Sequence, residues 1–118
     1  MLIKKMKNIE MVRAVNGLNG FVGKDTVVPI ALSVAISANI KTLRRELEPY
    51  EEVRYKLLDD KPEDIESRFN ELCSIETEVN LRTVSPDTLA GIELSTKDYM
   101  SLEFMLEENK SEPESQSE

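Results

Sequence analysis

The strongest constraint on this chain is an apolar seam through its middle. Apolar residues fall at Ile36, Ile40, Leu43, Leu47, Tyr50 and Leu57 in steps of four and three, with Arg54 in the one remaining slot. That spacing keeps a single stripe on one side of a helix, and such a stripe needs another helix to cover it. Pairing of helices within the chain is therefore expected, and pairing between chains stays open. Leu43, Leu47, Tyr50, Arg54 and Leu57 are the candidate interaction residues. Arg54 has two readings. It pairs with a buried acid and sets helix register, or its stem runs past the seam and carries the guanidinium to water.

A chain of 118 residues is enough for one domain with a core of its own. Residues 1–106 are expected to form that domain. The chain has no Trp and only three Phe and three Tyr, so Leu, Ile, Val, Ala and Met must do the packing.

Around the seam, the pattern changes period several times. Residues 2–7 are short, basic and apolar, and read as an edge strand. Asn8 reads as the cap of a helix over residues 8–19, which Gly17, Gly20 and Gly23 should end in a loop. Pro29 suits the start of the seam helix, whose first half is rich in Ala and Ser. Pro49 lacks a backbone donor and disfavours helix at Glu48, so a kink or a junction of two helices is expected there. Pro62, Glu63 and Asp64 read as the first turn of a helix to about Cys73, with Ile65, Phe69 and Leu72 on its apolar side.

Then Ile75, Thr77, Val79, Leu81 and Thr83 alternate with polar residues, the period of a half-buried strand. Residues 91–94 are its expected partner in a small hairpin. Ser95 should cap a last helix bearing Tyr99, Leu102, Met105 and Leu106, with Asp98 three residues after the cap. The expected fold is α+β and mostly helical: a long helix in an antiparallel helical arrangement, a small β-hairpin and a C-terminal helix.

Several chemistries are excluded outright. The chain has no histidine and one cysteine, Cys73, so a His/Cys zinc site and a nucleophile paired with a histidine base are both ruled out. No internal disulfide can form, and Cys73 reads as a small buried hydrophobe. Residues 17–26 resemble a phosphate loop only in their glycines. Leu18 stands where that motif needs glycine, and Asp25 stands where it needs Ser or Thr.

The acids at 51–52, 59–60 and 63–64 are adjacent, so on a helix they point about 100° apart and do not converge. No cofactor or metal is expected, and no enzymatic activity.

The net charge of −8 is shared equally between residues 1–106 and the tail 107–118. An acidic body argues against direct nucleic-acid binding and against membrane surfaces. The longest uncharged run, residues 26–40, begins too late for a signal peptide and is too short to span a bilayer. The tail has the composition of a disordered, solubilising end.

Three stretches carry a resemblance: residues 50–57 (Tyr-Glu-Glu-Val-Arg-Tyr-Lys-Leu), 69–81 (Phe-Asn-Glu-Leu-Cys-Ser-Ile-Glu-Thr-Glu-Val-Asn-Leu) and 95–107 (Ser-Thr-Lys-Asp-Tyr-Met-Ser-Leu-Glu-Phe-Met-Leu-Glu). In pattern and order they resemble helical stretches of small uncharacterised proteins encoded by phages and prophages of Gram-positive bacteria. The likeness spans residues 30–107, and residues 17–24 depart from it. It implies phage origin and action in the host cytoplasm or in virion assembly, and it implies no activity. The expected function is non-enzymatic, through binding a host or phage protein in the bacterial cytoplasm. The alternatives are a structural or assembly component of the virion, and an inhibitor of host defence that presents acidic surface as a nucleic-acid mimic.

Overall fold

The computed structural model describes residues 2–24 and 26–107. The tail lies outside them apart from Glu107. Its expected disorder concerns residues that the structure does not describe.

The described residues form an α+β, mostly helical fold. Strand β1 (Leu2–Lys7) leads into helix α1 (Asn8–Val22), followed by α2 (Ile30–Glu46), α3 (Glu48–Asp60), α4 (Ile65–Ser74), strand β2 (Glu76–Leu81) and α5 (Thr96–Leu102). Short 3-10 turns occupy Pro86–Leu89 and Glu103–Met105.

The partner of β2 is β1. The two run antiparallel, from Leu2 opposite Leu81 to Lys7 opposite Glu76. The expected local hairpin is thus replaced by a pairing across most of the chain, and residues 91–94 are not a strand. The cross-strand pairs favour this partner, because Lys5 meets Glu78 and Lys7 meets Glu76. The Asn8 N–H extends the ladder to the Ile75 carbonyl at 2.9 Å. Its side-chain amide then donates to the Leu72 carbonyl at 2.9 Å, which also accepts from the Ile75 N–H at 3.4 Å in the last turn of α4. Asn8 is the first residue of α1, and Glu10 performs the capping by accepting from the Lys7 N–H at 2.8 Å.

Two buried clusters form the core. One gathers Met11 and Val15 of α1, Leu43 of α2, Leu47, Tyr50 and Leu57, Leu72 of α4, and Val79 and Leu81 of β2. The other gathers Leu18 and Phe21 of α1, Leu32, Ala35 and Ile36 of α2, and Val84, Leu102 and Met105. The first half of α1 shares a cluster with the end of α2, and its second half shares one with the start of α2. The two helices are therefore an antiparallel pair, and 23–29 is the connection between them.

Helix α1 continues past the expected loop to Val22, through Gly17 and Gly20. Gly17 has a packing reason. A Cβ there would stand 2.9 Å from Ser101 Oγ, so glycine lets α5 approach. Nothing lies within 4 Å of a Cβ at Gly20. Gly20→Ala is therefore expected to stabilise the protein by about 0.5–1 kcal/mol through helix propensity. Gly17→Ala should lose that gain to the contact with Ser101. Thermal melts of the two variants check the contrast.

The seam helix divides at Leu47, between α2 and α3. Its φ of −88° and ψ of −4° remain near helical values. The Leu47 N–H reaches the Leu43 carbonyl at 3.0 Å, and its own carbonyl accepts from the Glu51 N–H at 2.9 Å. The junction is thus a one-residue break that keeps the seam aligned, with Pro49 in the first turn of α3. Helix α4 begins at Ile65 rather than Pro62. Lys61 ends α3 in a left-handed conformation (φ 49°), and residues 62–64 are needed to turn the chain.

Asn39 joins α2 to the end of β2. Only 1% exposed, it accepts from the Arg82 N–H at 2.8 Å and donates to the Arg82 carbonyl at 2.9 Å. Beyond it, the Val84 N–H reaches the Met105 carbonyl at 3.1 Å, and the Glu107 N–H reaches the Val84 carbonyl at 2.8 Å.

Candidate functional site

Of the residues singled out by the seam, Leu43, Leu47, Tyr50 and Leu57 are buried inside the chain's own core. Burial pushes the Tyr50 phenol above its ordinary range, and the neighbouring Cys73 thiol adds to the shift. The phenol therefore stays neutral at physiological pH. Cys73 is a half-buried free thiol packed against the same cluster. Arg54 is half-buried with its guanidinium 5.7 Å from the Tyr55 ring centroid, the geometry of a stem lying on the surface with its charge in water.

The surface that the seam did not indicate is a groove of about 510 Å³ along the outer side of α2. Ser33, Ile36, Ser37, Ile40, Lys41 and Arg44 line it from α2. Their spacing is one helical stripe over three turns, about 16 Å at the helical rise. Phe21 and Val22 close one side from the end of α1, and Thr26, Val27 and Val28 close it from the connection. Beside it the surface is unusually apolar: Val27 is 92% exposed and Ile30 77%. Exposed apolar side chains gathered at a groove are candidates for a binding surface.

The groove is graded. Its apolar residues cluster toward the start of α2, and Lys41 and Arg44 stand at the other end. They occupy the last turns of α2, where the negative end of the helix dipole favours cations. No ion-pair partner within 4.0 Å faces either of them among the described residues. Arg44 also borders a second hollow of about 280 Å³, lined by Val12, Val15, Asn16, Leu47 and Glu51. This basic end sits in a polarised chain. Residues 1–45 hold eight Lys and Arg against two acids, and residues 46–118 hold seven against twenty-one.

The connection that forms the groove's wall is tied down at its start. Lys24 Nζ lies 2.8 Å from Asp98 Oδ1, and the Asp98 N–H donates to the capping Ser95 Oγ at 3.0 Å. The Lys24 hydrogen bond holds the Asp98 carboxyl below its usual range, against the opposing effect of burial. A depressed folded pKa contributes stability above the ordinary carboxylate value, and that contribution is lost as pH falls through the folded pKa. The melting temperature of Asp98→Asn is therefore expected to fall below that of the wild type near neutral pH. The gap should close in strong acid. Melts across a pH series check it.

Comparison with known proteins returned no matching family model, curated protein or solved structure.

The adjacent acids lie along α3, its C-terminal end and the turn before α4. Asp60 pairs with Lys56 at 3.5 Å and Asp64 with Arg68 at 2.9 Å, both exposed and four residues apart. Pairs of this kind contribute about 0.3–0.5 kcal/mol each and are ordinary helix-surface features. Among the described residues no three His, Cys, Asp or Glu side chains gather where they could hold a metal ion. No helix among them is long and apolar enough to cross a membrane.

Sequence reasoning missed the groove because Val27 and Val28 fall in what composition reads as a connection. The available signal was their position directly before Pro29, where two β-branched residues have no periodic pattern to join.

Proposed function

We propose that this chain is a non-enzymatic protein that acts by binding another protein, and that it is phage-encoded and works in the bacterial cytoplasm. One observation carries the interaction reading: the apolar groove along α2, open to solvent and flanked by Val27 and Ile30. A groove between helices lined by aliphatic side chains, with charge at one end, suits a protein segment. The resemblance of residues 50–57, 69–81 and 95–107 to small phage proteins supports the origin.

The test is affinity capture from host cells with the full chain as bait. The expected result is a protein retained in stoichiometric amount and identified by mass spectrometry. Failure to retain any protein from infected or uninfected cells would sink this reading.

A further inference from the structure

We propose that the groove along α2 binds an acidic amphipathic helix, seated antiparallel to α2 with carboxylates of its first turn against Lys41 and Arg44. This inference rests on the protein-binding reading and names the chemistry of the segment bound.

The groove's two ends demand different chemistry. Toward the start of α2, Val22, Val27 and Val28 offer apolar contact over the buried Phe21 and Ile36, with the hydroxyls of Ser33 and Ser37 beside them, and Ile40 carries the apolar lining up to Lys41. The occupant must bring aliphatic or aromatic side chains there. At the far end Lys41 and Arg44 lie one turn apart, both exposed. Charge complementarity calls for acids on the occupant at that end.

The lining residues of α2 recur at helical spacing over three turns, which presents a straight edge to a second helix. Such grooves take a helix through anchors at i, i+3, i+4 and i+7. The direction follows from electrostatics. Acids are most favourable in a helix's first turn, at the positive end of its dipole. Placing that turn beside Lys41 and Arg44 sets the bound helix antiparallel to α2, with its positive end near the negative end of α2.

Two other occupants fit less well. The chain's own residues 108–118 are acidic but hold no aliphatic or aromatic side chain, so they have nothing to fill the apolar end. A second copy would have to present an apolar acidic helix. On α3, the exposed Tyr55 and Leu58 share one face at i and i+3 but Val53 lies on the other side, so the apolar stripe there is a single turn long, too short for a groove of three turns.

The experiment uses the full chain and a fluorescent synthetic helix of about fifteen residues, with Leu at i, i+3, i+4 and i+7 and two Glu in its first turn. Fluorescence anisotropy is expected to show binding that weakens as salt rises. A probe with Lys in place of Glu should bind about tenfold more weakly, and so should a probe with the Glu pair in its last turn.

Lys41→Glu with Arg44→Glu should reverse the preference, favouring the Lys probe over the Glu probe. Val27→Asp should abolish binding of both. All three positions are exposed, and circular dichroism melts confirm that the variants fold. Equal affinity for Glu and Lys probes would overturn the proposal, as would a charge-reversed variant that keeps the original preference. It would also fail if dodecanoate displaced the probe more strongly than unlabelled peptide, or if sedimentation showed a dimer that Val27→Asp dissolves.

Capture of a cellular protein equally by wild type and by the charge-reversed variant would mean a partner bound elsewhere. That outcome sinks the groove and leaves the protein-binding reading standing.

Discussion

Leu43→Ala is expected to remove about 3–4 kcal/mol of folding stability. Leu43 is 0% exposed and sits where α2 meets α1 and β2, so its deletion leaves a cavity that three elements would have to collapse to fill. A domain of this size holds on the order of 5–15 kcal/mol in total. One truncation should therefore shift a denaturant midpoint by a large fraction of its value. Leu47→Ala should cost less, because Leu47 lies at the one-residue break between α2 and α3, where the backbone has more freedom to settle. Denaturant titrations of both variants with an unchanged m-value check the size and the order. A Leu43→Ala loss under about 1 kcal/mol would mean that the stripe is not the core it forms in this structure.

The seam was readable because helical burial writes itself into sequence at a fixed period. Leu43, Leu47, Tyr50 and Leu57 needed no knowledge of their partners to be recognised as one face. The alternation through Thr77, Val79 and Leu81 was readable for the same reason, at period two. Ser95 and Asp98 were readable because a cap is local: the Asp98 N–H and Ser95 Oγ are three residues apart.

Non-local pairings were not readable. Strand β2 was correctly expected, but its partner is β1 at the other end of the chain, and no local turn announces that pairing. Gly17 looked like a helix breaker because its compensation is Ser101, on a different helix. Tyr99 was expected beside Leu102 at helical spacing and is exposed, because the buried side of α5 and the turn after it runs through Asp98, Leu102 and Met105. Local rules fail in these places because a tertiary contact decides the outcome.

The groove belongs to the same class. Ile40 was assigned to the seam with Leu43, yet it also lines the groove, since it lies at the margin of the buried face. Lys41 and Arg44 join no local apolar pattern that would mark them as part of a site. Only the antiparallel return of α2 against α1 sets Phe21 and Val22 beside the start of α2, so that the stripe ending in Lys41 and Arg44 becomes one side of a concave surface.

Asn39→Ala is expected to cost about 3 kcal/mol, two hydrogen bonds together with the desolvation of the Arg82 backbone groups left behind. Its effect should exceed that of any surface substitution on α2, because Asn39 acts as a strand would, offering an acceptor and a donor to one residue at the end of β2. Asn39→Asp separates the two bonds. Ionised, the new carboxylate would still accept from the Arg82 N–H but would face the Arg82 carbonyl with no proton to offer. Protonated, it would restore both contacts. Burial and the facing carbonyl both disfavour the charge, so the folded pKa of that carboxyl should rise above its unfolded value. The folded state then binds more protons than the unfolded one, and stability must fall as pH rises. Asn39→Asp is accordingly expected to approach the wild type in acid and to lose ground toward neutral pH, the same direction as the Asp98→Asn deficit but from the opposite cause: at Asp98 the wild type gains a stabilising charge as pH rises, and at position 39 the variant gains a destabilising one. Denaturant titrations of the wild type and the two variants at several pH values read both deficits. A pH-independent deficit for Asn39→Asp would show that water, rather than the Arg82 backbone, surrounds this side chain.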